Sequence, residues 1–293
     1  MTTLKARLAQ GEFIGAPGVF DMISAKLADR TSAPALYVTG YGTVASHLGL
    51  PDAGLATYSQ MLERIQTICE GVSKPVIADA DTGYGGLLNV RHTVRGYEKA
   101  GVAAIQIEDQ QFPKKCGHTP QRQVVPTAEM VQKIRVASDA RSRDDFLIVA
   151  RTDARSGLGL DEALRRGEAY VRAGADILFI ESPESREELQ IIGRSFDVPL
   201  LANMVHGGKT PLLSQDELTA HGFQVAIYPS IGFLAVGHAL AEAYAAVVAQ
   251  QPIPVGLYDF PAFHELMGFP DVWAFERLYA ESPQPSQGEI HAR

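Results

Sequence analysis

One of the two cysteines in this chain lies in a segment suited to acid–base chemistry, KKCGH at 114–118. Cationic neighbours stabilise a thiolate and lower the thiol pKa from its ordinary value of about 8.5. Gly117 gives the backbone freedom to approach a ligand closely. We therefore expect Cys116 to carry a proton on a mobile active-site loop, with Lys115, Gly117 and His118 beside it. A buried, inert cysteine is the alternative, which the flanking lysines disfavour because lysine is rarely buried.

Polar side chains end two successive apolar runs at positions two residues apart. Asp79 and Asp81 end one run, and Gln106 and Glu108 end the next. Residues two apart on a strand share a face, so these side chains can converge. Buried carboxylates need compensation, and all-oxygen donors favour Mg²⁺ or Mn²⁺. The alternative is structural ion pairing with the cationic side chains of the same region, Arg151, Lys114 and Lys115.

Three further segments carry groups that suit a carboxylate ligand. Thr39, Gly40 and Tyr41 form a glycine-containing turn whose backbone N–H groups can face an anion. Asp52 lies in a loop, where an acid can act on a substrate or simply form a turn. Asn203 begins NMVHGGKTP, which offers an amide, a glycine pair and a lysine.

The composition excludes several classes of protein. With 293 residues, 46% hydrophobic content and 20% charged content, the chain has the make-up of an ordinary soluble globular protein. A net charge of −8 argues against nucleic acid as the main partner. No uninterrupted apolar run is long enough for a membrane span, and the first residues lack a secretory signal, so we expect a cytoplasmic protein without a membrane partner.

Cys69, on the apolar side of a helical pattern, is expected to fill the core.

Short apolar runs alternate with amphipathic helical patterns along most of the chain. Runs that are apolar on both faces suit a parallel sheet covered by helices. Eight such runs, each followed by a helical pattern, predict one closed (β/α)8 TIM barrel rather than an open sheet. In such a barrel, catalytic groups collect at the carboxyl ends of the strands. The predicted strands are Phe13–Pro17, Ala35–Gly40, Pro75–Asp81, Ala103–Asp109, Phe146–Asp153, Ile177–Ser182, Pro199–Met204 and Val225–Ser230.

Residues 1–293 are predicted to form this single barrel domain, with a helical extension at about 252–280. Within the extension, Val272, Phe275, Leu278 and Tyr279 recur at helical spacing. The eight barrel units are complete without this stripe, so its apolar face needs another partner, such as a neighbouring subunit. Residues from about 281 to 293 have the composition of a disordered tail.

The motifs LGLPD, DADTGYG, IEDQ, KKCGH, ARTDA and NMVHGGKTP, taken in this order, resemble the isocitrate lyase/phosphoenolpyruvate mutase superfamily. The resemblance is strongest to its short carbon–carbon lyase branch, which contains methylisocitrate lyases, dimethylmalate lyases and oxaloacetate hydrolases. It extends from about Phe13 to Tyr279, and the motifs together are very specific. The resemblance implies a (β/α)8 barrel that is usually a homotetramer, with terminal helices swapped between subunits.

The resemblance also implies roles for individual residues. It implies that Mg²⁺ is held, largely through water, by the residues that match Asp79, Asp81 and Glu108. The family's catalytic cysteine matches Cys116, and its substrate-anchoring arginine matches Arg151. Its carboxylate-binding loop and its other active-site positions match Thr39, Gly40, Tyr41, Tyr37, Asp52, Glu181 and Asn203.

This branch implies cleavage of a 2-hydroxy di- or tricarboxylate, of the 2,3-dimethylmalate or 2-methylisocitrate type, to a 2-oxo acid such as pyruvate plus a carboxylic acid. Phosphoenolpyruvate mutases lack the cysteine motif, and isocitrate lyases are much longer. Within the branch, QIED stands where methylisocitrate lyases commonly have HIED, and GGKTP is closer to the dimethylmalate lyase and oxaloacetate hydrolase group. An oxaloacetate hydrolase or decarboxylase is the enzymatic alternative. A metabolite-binding barrel without turnover is the non-enzymatic one.

Overall fold

The structure is a computed structural model that describes residues 2–117, 119 and 121–280. His118 and the predicted tail at 281–293 lie outside the described residues. The chain divides into two compact units, Met1–His238 and Ala239–Arg293.

The first unit contains a closed barrel of eight parallel strands, in which each strand pairs with the next and the eighth pairs with the first. The prediction of a (β/α)8 barrel is therefore confirmed. Each predicted run overlaps one strand, with ends that differ by only a few residues. The strands are β1 Ile14–Val19, β2 Leu36–Val38, β3 Val76–Asp79, β4 Ala104–Glu108, β5 Leu147–Thr152, β6 Ile177–Ile180, β7 Leu200–Asn203 and β8 Val225–Tyr228.

Helices connect the strands and cover the barrel. Several begin at a residue whose side chain accepts a backbone N–H bond, as Asp21, Thr57 and Ser214 do. The helices of the chain are α1 Leu4–Ala9, α2 Met22–Asp29, α3 Gly40–Leu48, α4 Tyr58–Gly71, α5 Leu87–Lys99, α6 Thr127–Ala140, α7 Arg155–Leu158, α8 Leu160–Arg172, α9 Arg186–Arg194, α10 Gln215–Ala220, α11 Ile231–Val248, α12 Phe260–Met267 and α13 Phe269–Tyr279.

Two layers of core explain why the strands are apolar on both faces. Inside the barrel, side chains such as Ile77, Val149 and Ile227 pack together. Outside it, side chains such as Ile105 and Ile148 pack against the covering helices. Every residue of β3, β4 and β5 is buried, including the polar ones at their carboxyl ends.

Strand register brings those polar ends to one rim of the barrel. Asp79 pairs with Gln106 between β3 and β4, and Glu108 pairs with Arg151 between β4 and β5. Because neighbouring parallel strands end at the same level, their terminal side chains meet at this rim.

Helix α11 has an unusual composition. Among the described residues it alone is long and apolar enough to cross a membrane by length and composition, with a mean hydropathy of 1.6. Alanine, valine and leucine outweigh its single acid, Glu242. His238 and Glu242 interrupt its apolar sequence, so no uninterrupted run in it reaches the length of a membrane span, and the sequence pattern did not single it out. The absence of a membrane partner stays a prediction.

The second unit contains α12 and α13, within the stretch predicted as a helical extension. In α13 the large apolar side chains are exposed, with Phe275 at 64% and Leu278 at 74%. No residue of α13 is buried within the described chain.

Candidate active site

A cavity of about 230 Å³ opens at the carboxyl ends of the barrel strands. Its lining draws side chains from β2, β3, β5, β7 and β8 and from the loops that follow the strands. Asp79, predicted as a metal ligand, lines it. Most of the residues predicted as catalytic or substrate-binding also line it, namely Tyr37, Thr39, Tyr41, Asp52, Cys116, Gly117, Arg151, Glu181 and Asn203.

Arg151, on β5, is the cationic centre of this cavity. Its Nε and Nη2 donate to Asp153 Oδ2 and Oδ1, both at 2.9 Å. Glu108 Oε2 lies 3.3 Å from Nε, and Glu181 Oε2 lies 3.4 Å from Nη2. Burial alone would lower the pKa of Arg151, but these three carboxylates raise it well above its ordinary value. The guanidinium is therefore permanently charged and held in one orientation.

Glu181 and Asn203 form a second polar group at the ends of β6 and β7. Asn203 Nδ2 donates to Glu181 Oε2 at 3.1 Å, and Ser182 Oγ donates to Glu181 Oε1 at 3.0 Å. Asn203 Oδ1 is buried and has no hydrogen-bond partner among the described residues.

The loop that carries Cys116 packs directly on Arg151. The Cys116 backbone N–H donates to the Asp52 carbonyl oxygen at 3.1 Å. A Cβ on Gly117 would lie 2.5 Å from Arg151 Nη2 and 3.0 Å from Glu181 Oε2, so only glycine fits there. Cys116 is half-buried and lines the cavity. The structure thus places the predicted proton carrier beside the predicted carboxylate anchor.

The two neighbouring lysines of this loop have opposite environments. Lys114 Nζ is buried and pairs with Asp52 and with Asp81 Oδ1, the latter at 2.6 Å. Burial alone would lower its pKa, but these acids raise it well above its ordinary value. The Lys115 side chain is exposed and does not line the cavity; only its backbone is held, by Gln110 at 2.9 Å. Lys114 is the lysine that reaches the acids, although the sequence analysis named it only as a possible ion-pair partner.

A hydrogen-bonded chain links Tyr37 to the acids of β3. Tyr37 Oη donates to Gln106 Oε1 at 3.2 Å, and Gln106 Nε2 donates to Asp79 Oδ1 at 3.4 Å. The same Asp79 oxygen accepts from the Asp81 backbone N–H at 3.1 Å. Burial raises the pKa of Tyr37 well above its ordinary value, and Asp79 adds to the effect. Tyr37 is therefore a neutral hydrogen-bond donor.

The predicted metal ligands form an acidic cluster that is incompletely neutralised. Burial raises the pKa of Asp81 to about 6 and that of Glu108 well above its ordinary value. Glu108 Oε1 is buried without a hydrogen-bond partner among the described residues. Three or more acids or histidines arranged as direct ligands are not found in the described part of the chain. The candidate ligand atoms are all oxygens, they do not close around an ion, and one of them is unpaired. Such a set suits Mg²⁺, a hard cation that keeps its water ligands.

The turn after β2 presents backbone N–H groups at the start of α3. Thr39 is the N-cap of α3, and its side chain forms no capping hydrogen bond. A Cβ on Gly40 would lie 2.6 Å from Asp79 Oδ2, so a larger residue would displace that acid. The Tyr41 ring lies 5.3 Å from that of Phe233. Unbonded N–H groups at a helix start favour an anionic ligand.

Sequence reasoning missed one side of the cavity. This apolar wall comes from the ends of β7 and β8 and the start of α11, and it consists of Val205, Ile227, Pro229, Phe233 and Leu234. Apolar side chains at a barrel mouth have the same local pattern as core side chains, so the sequence alone gave no signal. The exposed His206 also lines the cavity.

Comparison with known proteins gives a family match over most of the chain. Residues 4–248 match the family described as phosphoenolpyruvate phosphomutase. A 2,3-dimethylmalate lyase of Eubacterium barkeri is 47% identical over 281 residues, covering 94% of this chain and 97% of that protein. A 2-methylisocitrate lyase of Aeropyrum pernix is 40% identical over 293 residues, covering 99% of this chain and 93% of that protein.

Solved structures with the same fold include two with ligands bound. Oxaloacetate acetylhydrolase in complex with 3,3-difluorooxalacetate has a TM-score of 0.88 and 33% identity, covering 94% of each chain. Phosphonopyruvate hydrolase in complex with oxalate and Mg²⁺ has a TM-score of 0.85 and 32% identity, covering 95% of this chain and 98% of that one.

Proposed function

The chain belongs to the phosphoenolpyruvate mutase family, and we propose that it cleaves a 2-hydroxy di- or tricarboxylate, with Mg²⁺, to a 2-oxo acid such as pyruvate plus a carboxylic acid. Its relatives support a carbon–carbon lyase as the enzyme class. Small carboxylates are the substrates of this class. The cytoplasm is the compartment we propose for it.

The observation that carries this proposal is the contact between the Cys116 loop and Arg151. A Cβ on Gly117 would lie 2.5 Å from Arg151 Nη2, so the loop meets the guanidinium at the wall of the cavity. A carboxylate held by Arg151 therefore lies next to the thiol of Cys116. Substrate anchoring and proton donation are the two functions that the leaving fragment of a lyase reaction requires.

The residues of the cavity account for the steps of cleavage. Arg151 and the N–H groups at the start of α3 hold substrate carboxylates. One of the carboxylates at the mouth of the cavity accepts the proton of the substrate hydroxyl. The carbon–carbon bond then breaks, and the electron pair of that bond stays on the leaving fragment. Cys116 then donates a proton to that carbanion. Packing of the loop over the cavity excludes water, which would otherwise compete for the site.

Asp79, Asp81 and Glu108 are the residues that would hold Mg²⁺. The burial of these three acids and the unpaired Glu108 Oε1 support this assignment. When bound there, Mg²⁺ would supply Lewis-acid chemistry, lowering the pKa of the substrate hydroxyl and stabilising the 2-oxo product. The related phosphonopyruvate hydrolase binds Mg²⁺ together with oxalate.

A substrate panel tests the proposal. Purified protein is assayed with Mg²⁺ on 2,3-dimethylmalate, 2-methylisocitrate, isocitrate and oxaloacetate, and the products are identified by chromatography. We expect pyruvate from one of the alkylated 2-hydroxy acids. We also expect EDTA to abolish turnover and Mg²⁺ or Mn²⁺ to restore it. Full activity without metal, or no cleavage of any 2-hydroxy acid, would contradict the proposal.

Hydrolysis or decarboxylation of oxaloacetate is the second candidate. It is favoured by the likeness to oxaloacetate acetylhydrolase over 94% of the chain. The same panel separates the two candidates, because hydrolysis releases oxalate and acetate, whereas decarboxylation releases CO₂ and pyruvate. Neither reaction consumes an alkylated 2-hydroxy acid.

A further inference from the structure

The two 2-hydroxy acids in question differ at a single substituent. 2,3-Dimethylmalate carries a methyl group on the carbon that leaves with the second carboxylate, and 2-methylisocitrate carries a carboxymethyl group there. Both release pyruvate. The cavity must therefore receive either an alkyl group or a third carboxylate at this position, and these two groups need opposite surroundings.

A third carboxylate would require a second cation. Among the described residues that line the cavity, Arg151 is the only arginine or lysine. Its Nε and Nη2 already face Asp153, Glu108 and Glu181, and the function proposed above assigns it to one of the other two carboxylates. Lys114 does not line the cavity, and its ammonium is bound to Asp52 and Asp81. His206 is the one other basic side chain in the described lining, and it is exposed to solvent.

The acidic side chains that line the cavity cannot neutralise a third carboxylate. Asp52, Asp79 and Glu181 all contribute to the lining. An additional buried carboxylate without a cation loses its hydration and gains no compensating partner. A tricarboxylate is therefore a poor ligand.

The remaining wall is apolar and suits an alkyl group. Phe233 and Leu234, from the first turn of α11, lie there with Val205 and Ile227. The Phe233 ring is fixed by Tyr41, at 5.3 Å, and by Phe20, at 6.4 Å between ring centroids. A methyl or ethyl substituent buried against such a wall gains free energy in proportion to its apolar area.

We propose, on the basis of the function proposed above, that this enzyme selects alkyl-substituted 2-hydroxy dicarboxylates over tricarboxylates, and that Leu234 and Phe233 determine this specificity. The charged side of the cavity, with Arg151 and the acids that would hold Mg²⁺, takes the two carboxylates and the hydroxyl. The apolar wall takes the alkyl group on the leaving fragment.

The first test compares kcat/KM for 2,3-dimethylmalate and 2-methylisocitrate at saturating Mg²⁺. We expect the dimethylmalate value to be higher by at least about tenfold, the scale on which an apolar pocket discriminates. Equal values, or a higher value for methylisocitrate, would overturn the specificity while leaving the lyase function in place. Absence of any cleavage would instead contradict the lyase function.

If no cleavage is observed, a binding measurement still tests the specificity. 2-Methylsuccinate and tricarballylate differ by the same substituent and have no hydroxyl to cleave. Calorimetric titration with Mg²⁺ should give a lower Kd for 2-methylsuccinate. A lower Kd for tricarballylate would overturn the proposal whatever the reaction.

Leu234→Arg adds the missing cation at the apolar wall. Leu234 is 52% exposed, so an arginine can be accommodated without burying its charge. We expect this variant to reduce kcat/KM for dimethylmalate and to raise the methylisocitrate-to-dimethylmalate ratio at least tenfold. Leu88→Arg is the matched control, because Leu88 is 73% exposed and outside the cavity. If both variants change the ratio equally, the assignment of Leu234 is wrong.

Discussion

At the scale of single residues, Arg151 shows how this cavity prepares for an anionic ligand. Asp153 holds the guanidinium by two hydrogen bonds of 2.9 Å, and Arg122 pairs with the same carboxylate from behind. The Phe179 ring lies 5.2 Å from the Arg151 Cζ. Orientation is thus fixed before substrate binds, which reduces the ordering that binding must impose.

Cys116→Ser should retain the fold and substrate binding but lose most of the turnover. Serine is close to cysteine in size, so packing changes little. Its hydroxyl pKa is far higher, which makes it a poor proton donor to a carbanion at neutral pH. We expect kcat to fall by roughly 10²–10⁴-fold with KM nearly unchanged, as measured by steady-state kinetics.

That pattern identifies an interaction made mainly in the transition state. A circular dichroism melt of the variant serves as the control for folding. If Cys116→Ser turned over within about twofold of the parent enzyme, the cysteine would be structural.

The two cysteines should differ sharply in alkylation. Burial, assisted by Glu70, raises the pKa of the Cys69 thiol to about 12, so Cys69 is protonated at pH 8 and reacts slowly. Cys116 lines the cavity. In folded protein, iodoacetamide should label Cys116 first, as measured by peptide mass spectrometry.

Both cysteines should react after denaturation in urea, which provides the control for intrinsic reactivity. Equal labelling rates in the folded protein would show that Cys69 is not protected by the helix packing around it.

At the scale of elements, the segment after β4 returns to its starting point and is fastened at several places. Gln110 pairs with Val124 in an isolated antiparallel bridge. Gln110 also holds the Lys115 backbone, and Arg122 is tied to Asp153 and to Ser156. In the described part of this loop, hydrogen bonds and ion pairs at the base and in the middle therefore fix the position of Cys116.

Glu98, at the end of α5, holds the start of the loop before β5. Its carboxylate accepts the Ser142 and Arg143 backbone N–H groups at 2.9 and 2.6 Å and the Ser142 hydroxyl at 2.8 Å. Burial alone would raise the pKa of Glu98, but these hydrogen bonds lower it below its ordinary value. A carboxyl group whose pKa is lower in the folded state than in the unfolded state stabilises the fold at pH values above its unfolded-state pKa. This stabilisation is lost as the pH falls through the folded-state pKa.

Glu98→Gln should therefore lower the free energy of unfolding by about 1–2 kcal/mol at pH 7, and by less at pH 4. Urea denaturation at the two pH values measures this. Glu63→Gln, at an exposed position on α4, is the matched control. An equal loss at both pH values would show that the ionised form of Glu98 is not required.

At the scale of the whole molecule, the exposed apolar surface of the second unit predicts an assembly. Val272, Phe275, Leu278 and Tyr279 are each at least 48% exposed. Apolar surface of this kind is typical of subunit interfaces. We predict a homotetramer in which these helices bury against neighbouring subunits.

Phe275→Asp should shift this assembly towards smaller species, because a charge would be buried in the interface. Sedimentation velocity measures the effect, and Glu276→Asp, which keeps the charge at the next position, is its control. A parent enzyme that is stable and active as a monomer would refute the assembly but not the barrel.

The barrel and the acids at its rim follow from local sequence patterns. Runs that are apolar on both faces indicate a parallel sheet covered by helices, and a count of eight such runs, each followed by a helical pattern, indicates that the sheet closes into a barrel. The two-residue period also predicted that Gln106 and Glu108 share a face, and both are buried at the barrel end. The neighbouring Asp109 points to the other face, where it binds Arg166 at 3.0 Å and Tyr170 at 2.7 Å.

Which loop residues enter the cavity depends on tertiary contacts that the sequence pattern does not reveal. Lys114 and Lys115 are chemically identical neighbours, yet one is buried against two acids and the other is exposed. Phe233 and Leu234 likewise have the pattern of core residues but line the cavity. Strands and helices impose a period that a sequence reveals, whereas the direction of a side chain in an irregular segment depends on contacts with distant parts of the chain.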